Sequence, residues 1–546
     1  MKYNYDTIII GGGITGACVV WDATLRGAKC LLVEKNDFSS GTSQATSKLI
    51  HGGLRYLKNM EVGLVRESLR ERRTLAKISP HAVETLGFTI PNYSKMESLV
   101  LRAGMEMYDR LSWDRNDDIS LDKLIPRYSH WSRKRAIHEM PRVPRKNLNG
   151  AFLYYDYANT NPERHTTEFI FSAKKLGATV CNYTEVTGIE SLPSSQGYKV
   201  RILDKITGKN NEITVRSVVN AGGPWADLIE SQVGIRSEKH IVRSKGIHIV
   251  TRKIAGDHCI VLKKKDGSHL FIIPWRGKTI IGTTDAVYEG HPDDFKVTRE
   301  DILDLLDEIN NTYGYTNLTE QDVDFYYGGM RPLVEDPGEE SSSYNASRKS
   351  EVMDHGEDGY PGFFSAMGGK YTTSRAVAEN LTDKLVAYLP GKFAPCTTET
   401  TPLLSGEYSD LHSVCQMLSK KFPNIRGEKL EILASRYGSL TESVLKTGNL
   451  STAKKGKKTD LLKTQEIYFE LSGGERIYEE EIRYISREES IVYATDFFFR
   501  RSGAGTTGCP PIHSLDGILK IIGDELKWPP SRVKKERELV LSRYTF

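Results

Sequence analysis

Three glycines, Gly11, Gly13 and Gly16, and one acid, Glu34, have the types and spacing to hold a dinucleotide. Glycines so placed let a chain turn tightly, bring its backbone against a pyrophosphate and pack the next helix close to a sheet. The helix opening there, through Ile14 and Thr15, aims its positive end at the phosphate charge. Glu34, followed by Lys35, stands where an acid accepts hydrogen bonds from an adenosine ribose. The arrangement points to chemistry done by a bound dinucleotide cofactor.

Such a site requires a strand, a turn, a helix and a second strand, and the apolar runs Thr7-Ile8-Ile9-Ile10 and Leu31-Leu32-Val33 supply the two strands. Residues 39–53 are polar and punctuated by glycine, and the charges and leucines of 60–78 predict an exposed helix. Residues 99–111 predict a strongly apolar helix. From Gly150 the α/β character resumes with a strand at 151–155, a helix over 162–176, an extended segment at 179–182 and short alternating segments ending at 218–225. Between about 240 and 335 the pattern gives several strands, including 246–250, 270–273 and 279–281, and one helix near 298–311. Residues 363–370 read as a strand meeting a second glycine turn and a helix. Residues 390–402 form a linker, and the rest is mostly helical in pattern, interrupted by a lysine-rich run at 454–458.

The fold class expected is α/β: a Rossmann-like dinucleotide-binding domain, an interleaved α+β substrate domain and a C-terminal helical domain. The expected boundaries are 1–85, 150–235 and 356–395 for the first, 86–149 and 236–355 for the second, and 396–546 for the third.

A chain of 546 residues can bury a large core in more than one domain. Mean hydropathy is −0.43, and no uninterrupted apolar stretch is long enough to cross a bilayer, so any membrane contact is expected to be peripheral. The charge, +4 from 75 basic and 71 acidic residues, is too balanced to favour nucleic acid as a main partner. Seven scattered cysteines with no C-x-x-C pair argue against a zinc or dithiol site, so no metal is expected and a reduced, cytoplasmic setting fits. The N-terminus runs into the first strand with no room for a leader, which supports the same expectation.

Four further blocks complete the pattern: Thr46-Ser47-Lys48-Leu49-Ile50-His51-Gly52-Gly53-Leu54-Arg55-Tyr56, Lys245-Gly246-Ile247-His248, Ile281-Gly282-Thr283-Thr284-Asp285 and Gly329-Met330-Arg331-Pro332-Leu333. With the opening fingerprint, Asn220 to Trp225 and Gly368 to Thr373, they closely resemble the FAD-dependent, quinone-linked glycerol-3-phosphate dehydrogenases. The resemblance covers about residues 5–395, with a weaker echo around Thr495 to Arg501.

The resemblance implies FAD on the first fingerprint, sn-glycerol 3-phosphate as substrate, dihydroxyacetone phosphate as product and electrons passed to a membrane quinone. It implies His248 as general base, with His51 as scaffold around the flavin. Arg331 and Arg55 offer paired N–H donors to a phosphate ester, with Tyr56 and one of Thr283 and Thr284 at the substrate. Lys370 supplies positive charge to the flavin's pyrimidine end. Thr46, Ser47, Lys48, Gly222, Gly369, Tyr371 and Thr372 complete the cofactor contacts.

The helix at 99–111 suits an interfacial element on the inner face of a cell membrane, or equally core or the interface of a homodimer. Lysines 454–458 and the cluster Arg532, Lys534, Lys535 and Arg537 are secondary candidates for lipid contact. The alternatives are an oxidase returning electrons to dioxygen, an amino-acid or amine oxidoreductase, and a noncatalytic flavoprotein that senses glycerol phosphate. The compact stretch between Arg331 and Lys370 favours the dehydrogenase over the oxidase, and the density of arginine and lysine disfavours substrates without phosphate.

Overall fold

Two large sheets and a helical C-terminal region organise the chain, whose computed structural model describes residues 3–193, 196–236, 240–314, 316–335, 350–448 and 466–545. The lysine run 454–458 lies outside the described residues.

The first sheet runs Ser350–Asp354, Phe363–Gly368, Asn210–Asn220, Tyr5–Ile10, Cys30–Val33, Thr179–Cys181. Its centre is parallel, with Ile9 opposite Val219 on one side and Leu32 on the other. Isoleucine, leucine and valine fill this centre because both faces are covered. Helices Ile14–Leu25, Pro162–Lys175 and Ser374–Tyr388 bury Ile9, Leu32, Val219 and Phe364 on one face. Strands Thr184–Ser191 and Tyr198–Asp204 help bury Ile8, Leu31 and Val218 on the other.

The second sheet runs Ala286–Val287, His240–Thr251, Lys278–Gly282, His269–Trp275, Cys259–Lys263, Val83–Asn92, Gly150–Asn159, Leu49–Ile50. Val323–Glu335 pairs with His240–Thr251, and Ser129–Ser132 with Gly150–Asn159. Helices Arg133–Glu139 and Arg299–Thr312 cover one face.

Two expectations about these elements are corrected. The strand at 151–155 extends to Gly150–Asn159 and pairs antiparallel with Val83–Asn92, so it belongs to the second sheet and not to the nucleotide-binding one. The helix expected to be exposed, Val62–Ile78, is largely buried. Two of its charges form internal ion pairs: Arg72 with Asp156, and Glu71 with Arg375 of the helix Ser374–Tyr388. A pattern of charge reads as solvent exposure only when its partners are not visible elsewhere in the chain.

The C-terminal region is helical, with one small hairpin of Tyr468–Glu470 and Arg476–Tyr478. Its phenylalanines 497–499 pack into the core beneath the second sheet.

Candidate active site

The strand Tyr5–Ile10 ends in Gly11, at φ +113°, where a Cβ would collide with the carbonyl of Ala221. A Cβ on Gly16 would likewise strike the Gly11 carbonyl. Only glycine satisfies both, and the result is a turn with bare backbone at the start of the helix Ile14–Leu25. Gly13 there has no side-chain cap. Glu34 accepts from the N–H of Gly12 at 2.7 Å and from that of Asn36 at 2.9 Å. Burial pushes its carboxyl up. A glycine-bordered helix start beside an oriented acid fits the pyrophosphate and ribose of FAD.

One contributor is absent from the sequence expectation. Ser43 Oγ accepts from the Ile14 N–H at 2.9 Å, placing the polar 39–53 segment over the helix start. The Lys35 ammonium pairs with Asp293 at 2.5 Å and rests 4.5 Å from the Trp225 ring. Gly222 closes the opposite side, donating its N–H to Asn220 Oδ1 at 3.1 Å.

Residues expected at the substrate come together on one face of the second sheet. Ser244 lies opposite Arg331, Gly246 opposite Gly329, and His248 opposite both Tyr327 and Gly282. The two-residue period of a strand therefore puts Ser244, Gly246, His248, Tyr327, Gly329 and Arg331 on the same side. The glycines make this possible. A Cβ on Gly246 would overlap the Arg331 guanidinium, and one on Gly282 the His248 ring.

Arg331 is held by its neighbours, donating to Thr283 Oγ1 at 2.6 Å, Ser244 Oγ at 3.1 Å and the Thr284 carbonyl at 3.2 Å, with Asp285 3.6 Å away. Thr284 Oγ1 instead accepts from the Ile247 N–H. Of the two threonines, Thr283 is the one whose hydroxyl faces the arginine.

His248 is buried, stacked on Tyr327 with centroids 5.0 Å apart, and its Nε2 lies 2.9 Å from Ser47 Oγ. Its Nδ1 has no hydrogen-bond partner among the described residues. Burial, with Arg331 and Lys48 nearby, pushes its pKa well below 6.5. The shift runs away from the value near 7 that was expected and favours the neutral imidazole.

A second cluster gathers around Tyr56. Lys370 Nζ sits 4.2 Å from its ring centroid and donates to Ser68 Oγ at 2.9 Å, and Arg55 lies 4.8 Å from the same ring. Burial lowers the Lys370 pKa. Gly368 and Gly369, at φ +71° and +94°, shape the turn that delivers the lysine.

Other residues expected at the cofactor have protein partners of their own. The Lys48 ammonium is buried against Glu163 and over Tyr327, so it is already neutralised. Tyr371 donates to the Pro162 carbonyl at 2.8 Å. Thr372 Oγ1 accepts from the backbone of half-buried His51. The Thr46 carbonyl accepts from Tyr327 at 3.1 Å, anchoring the 39–53 segment on the substrate face.

Residues 6–384 match the FAD dependent oxidoreductase family and residues 396–533 the C-terminal domain of alpha-glycerophosphate oxidase. A glycerol-3-phosphate dehydrogenase of Synechocystis sp. is 37% identical over 457 residues, covering 81% of this chain and 80% of its own. An aerobic glycerol-3-phosphate dehydrogenase of Staphylococcus aureus is 31% identical, covering 98% and 94%. The structure of the glycerol-3-phosphate dehydrogenase from Bacillus halodurans complexed with FAD superposes with a TM-score of 0.75 at 25% identity, covering 99% and 94%. The L-alpha-glycerophosphate oxidase from Mycoplasma pneumoniae, at 16% identity and a TM-score of 0.53, shares the fold over 74% of this chain and 99% of its own. With its glycine turn, its second glycine-shaped sheet and its C-terminal helices all matched, the chain belongs to the FAD-dependent glycerol-3-phosphate dehydrogenase and oxidase family.

Proposed function

We propose that this chain oxidises sn-glycerol 3-phosphate to dihydroxyacetone phosphate and passes the electrons to a quinone at a membrane surface. The observation that carries the reading is the sheet face on which His248 and Arg331 stand two glycines apart, a neutral base beside a fixed guanidinium. Arg331 holds the substrate through charge-assisted N–H donors, and its tether to Thr283, Ser244 and Thr284 fixes the direction of the fork. His248 takes the hydroxyl proton while Ser47 orients its ring. Lys370, gathered with Arg55 around Tyr56, would bring positive charge to a bound flavin, and Arg55 and Tyr56 would border the substrate. FAD, when bound, would supply the two-electron acceptor for this oxidation and for the onward transfer to quinone.

No helix among the described residues is long and apolar enough to cross a membrane. What supports peripheral contact is the helix Lys95–Leu111, which buries Met105 and Tyr108 and leaves Met96, Leu99 and Val100 exposed by 70%, 63% and 63% on one side. Exposed apolar residues on one helix face suit the boundary between lipid headgroups and acyl chains. The basic cluster near the C-terminus supports this less, because Arg532 and Arg537 are paired with Glu536 and Asp516.

An oxidase using dioxygen is the second reading, favoured by the match of residues 396–533 to the oxidase C-terminal domain. Anaerobic mixing with sn-glycerol 3-phosphate tests the substrate: the flavin spectrum bleaches, and an unchanged spectrum in FAD-loaded protein refutes it. Adding a soluble quinone or oxygen then tests the acceptor. Fast recovery with quinone and slow recovery with oxygen supports the dehydrogenase, and the reverse makes the protein an oxidase.

A further inference from the structure

The segment that carries the ribose acid is held from behind by the C-terminal domain. Three residues after Glu34, Asp37 is completely buried and accepts from two consecutive arginines of the C-terminal helix turn. Arg500 Nε donates to Asp37 Oδ2 at 2.6 Å. Arg501 spans the carboxylate with both terminal nitrogens, at 2.9 Å to Oδ2 and 2.8 Å to Oδ1. Asp496 bonds Arg500 in turn and accepts from the Tyr183 hydroxyl at 2.7 Å, and Arg501 Nε donates to the Glu489 carbonyl at 3.0 Å.

A second path joins the same two regions. Asn182 Nδ2 donates both to Asp37 Oδ1 and to the Ser490 carbonyl, each at 2.9 Å. On either side of Asn182, the Cys181 carbonyl accepts from the Glu34 N–H, and the Tyr183 and Thr184 N–H groups donate to the Asn36 and Glu34 carbonyls. On the cofactor side, Phe38 packs against Gly12, where a Cβ would come within 2.8 Å of its ring. Gly12 donates to Glu34, and its carbonyl accepts from Ser39. Every residue from Glu34 to Ser39 except Lys35 is thus tied either to the glycine turn, to the Cys181–Thr184 segment or to the C-terminal domain.

We propose that Arg500 and Arg501 are positioning residues for the cofactor: through Asp37 they fix the 34–39 segment, so that the C-terminal domain completes the adenosine half of the FAD site. A fully buried carboxylate with two arginine partners has one low-energy arrangement, because any displacement leaves a charge unpaired inside the protein. The segment is therefore rigid before FAD arrives, and affinity is gained through preorganisation. Reciprocity follows, since FAD that favours the docked arrangement must strengthen the docking of the C-terminal domain.

The test compares Arg501→Gln with Arg164→Gln. Arg164 forms another buried tie to the C-terminal region, to Glu489 at 2.7 Å, and among the described residues it makes no hydrogen bond or ion pair with the 34–39 segment. FAD is titrated into deflavinated protein by flavin fluorescence, and melting temperatures are taken with and without FAD. Arg501→Gln is expected to weaken FAD binding at least tenfold and shrink the FAD-induced rise in Tm. Arg164→Gln is expected to lower both melting temperatures while leaving FAD affinity within about twofold of the parent. Equal losses of affinity in the two variants, or none in Arg501→Gln, would overturn the proposal. If Arg501→Gln does not fold, Arg500→Lys decides: a threefold or greater loss of FAD affinity supports positioning and an unchanged affinity refutes it. Hydrogen exchange in the unmodified protein adds an independent arm. Amides of residues 494–503 are expected to exchange more slowly after FAD is added to the apoprotein, and identical exchange would contradict the coupling.

Discussion

At the scale of single residues, the site works by restricting what each side chain can do. Arg331 is aimed by Thr283, Ser244 and Thr284, and a lysine in its place would offer a single rotating ammonium where a planar fork stood. Arg331→Lys is therefore expected to raise KM for sn-glycerol 3-phosphate on the order of tenfold to a hundredfold, the cost of about one charge-assisted hydrogen bond, with FAD content unchanged. A steady-state titration beside a flavin absorbance ratio checks it, and an unchanged KM would remove Arg331 from the clamp. His248 gives a pH prediction. With its pKa pushed well below 6.5 by burial and by Arg331 and Lys48, it holds no proton at pH 6.5, so the rate of anaerobic flavin reduction stays level between pH 8 and 6.5. His248→Ala keeps FAD and slows that step by about a hundredfold or more. A rate that falls with a midpoint near 6.5 would contradict the lowered pKa, and a variant as fast as the parent would exclude His248 as the base.

At the scale of elements, the strands His240–Thr251 and Val323–Glu335 explain why the blocks containing His248 and Arg331 carry so much glycine. The pairing brings large side chains together from both strands, and Gly246, Gly282 and Gly329 remove the Cβ atoms that would fill the space between them. Reading the sequence locates these residues. It does not reveal that they share a face, because register is set by pairing between segments some eighty residues apart. The helix Lys95–Leu111 shows the same limit. Leu101, within the apolar run, packs on the core, and it is Leu99 and Val100 that face outward. Val100→Glu is accordingly expected to release the protein from vesicles containing anionic lipid, measured by flotation, while Tm changes by no more than a degree or two. Retained binding would assign this face to another partner.

At the scale of the whole molecule, buried ion pairs and histidines set the response to acid. His165 lies in the helix Pro162–Lys175 between Asn159 at 3.0 Å and Ser79 at 2.8 Å, and burial lowers its pKa from 6.5 to about 4. Between those values the unfolded chain binds a proton that the native protein refuses, so stability falls as pH drops through 6.5 and the loss levels off below 4. The shift corresponds to about 3 kcal/mol at ~1.4 kcal/mol per unit. Asp37 acts later and with the opposite requirement. Burial alone would raise its pKa, but Arg501 and Arg500 hold it down to about 2, so its contribution is lost only as pH falls below about 4. Thermal melts from pH 7.5 to 4 should show a progressive fall in Tm that starts near 6.5 and is shallower in His165→Asn. A flat profile from 7 to 5 would contradict the assignment.

The sequence by itself determined the nucleotide turn, since Gly11, Gly16 and Glu34 act within one local unit whose strand, turn and helix are contiguous. The arginine, histidine and lysine blocks were located by their resemblance to a known family, since each residue taken alone reads equally well as core or surface. Only the tertiary structure decided how they are used. Lys48 and Arg72 became buried partners of Glu163 and Asp156, the strand Gly150–Asn159 joined the second sheet, and Arg500 and Arg501 became buried partners of Asp37. The physical reason is common to all of these. A charge or a strand is placed by whatever pairs with it, and here each partner lies between 58 and about 460 residues away, beyond the reach of local spacing.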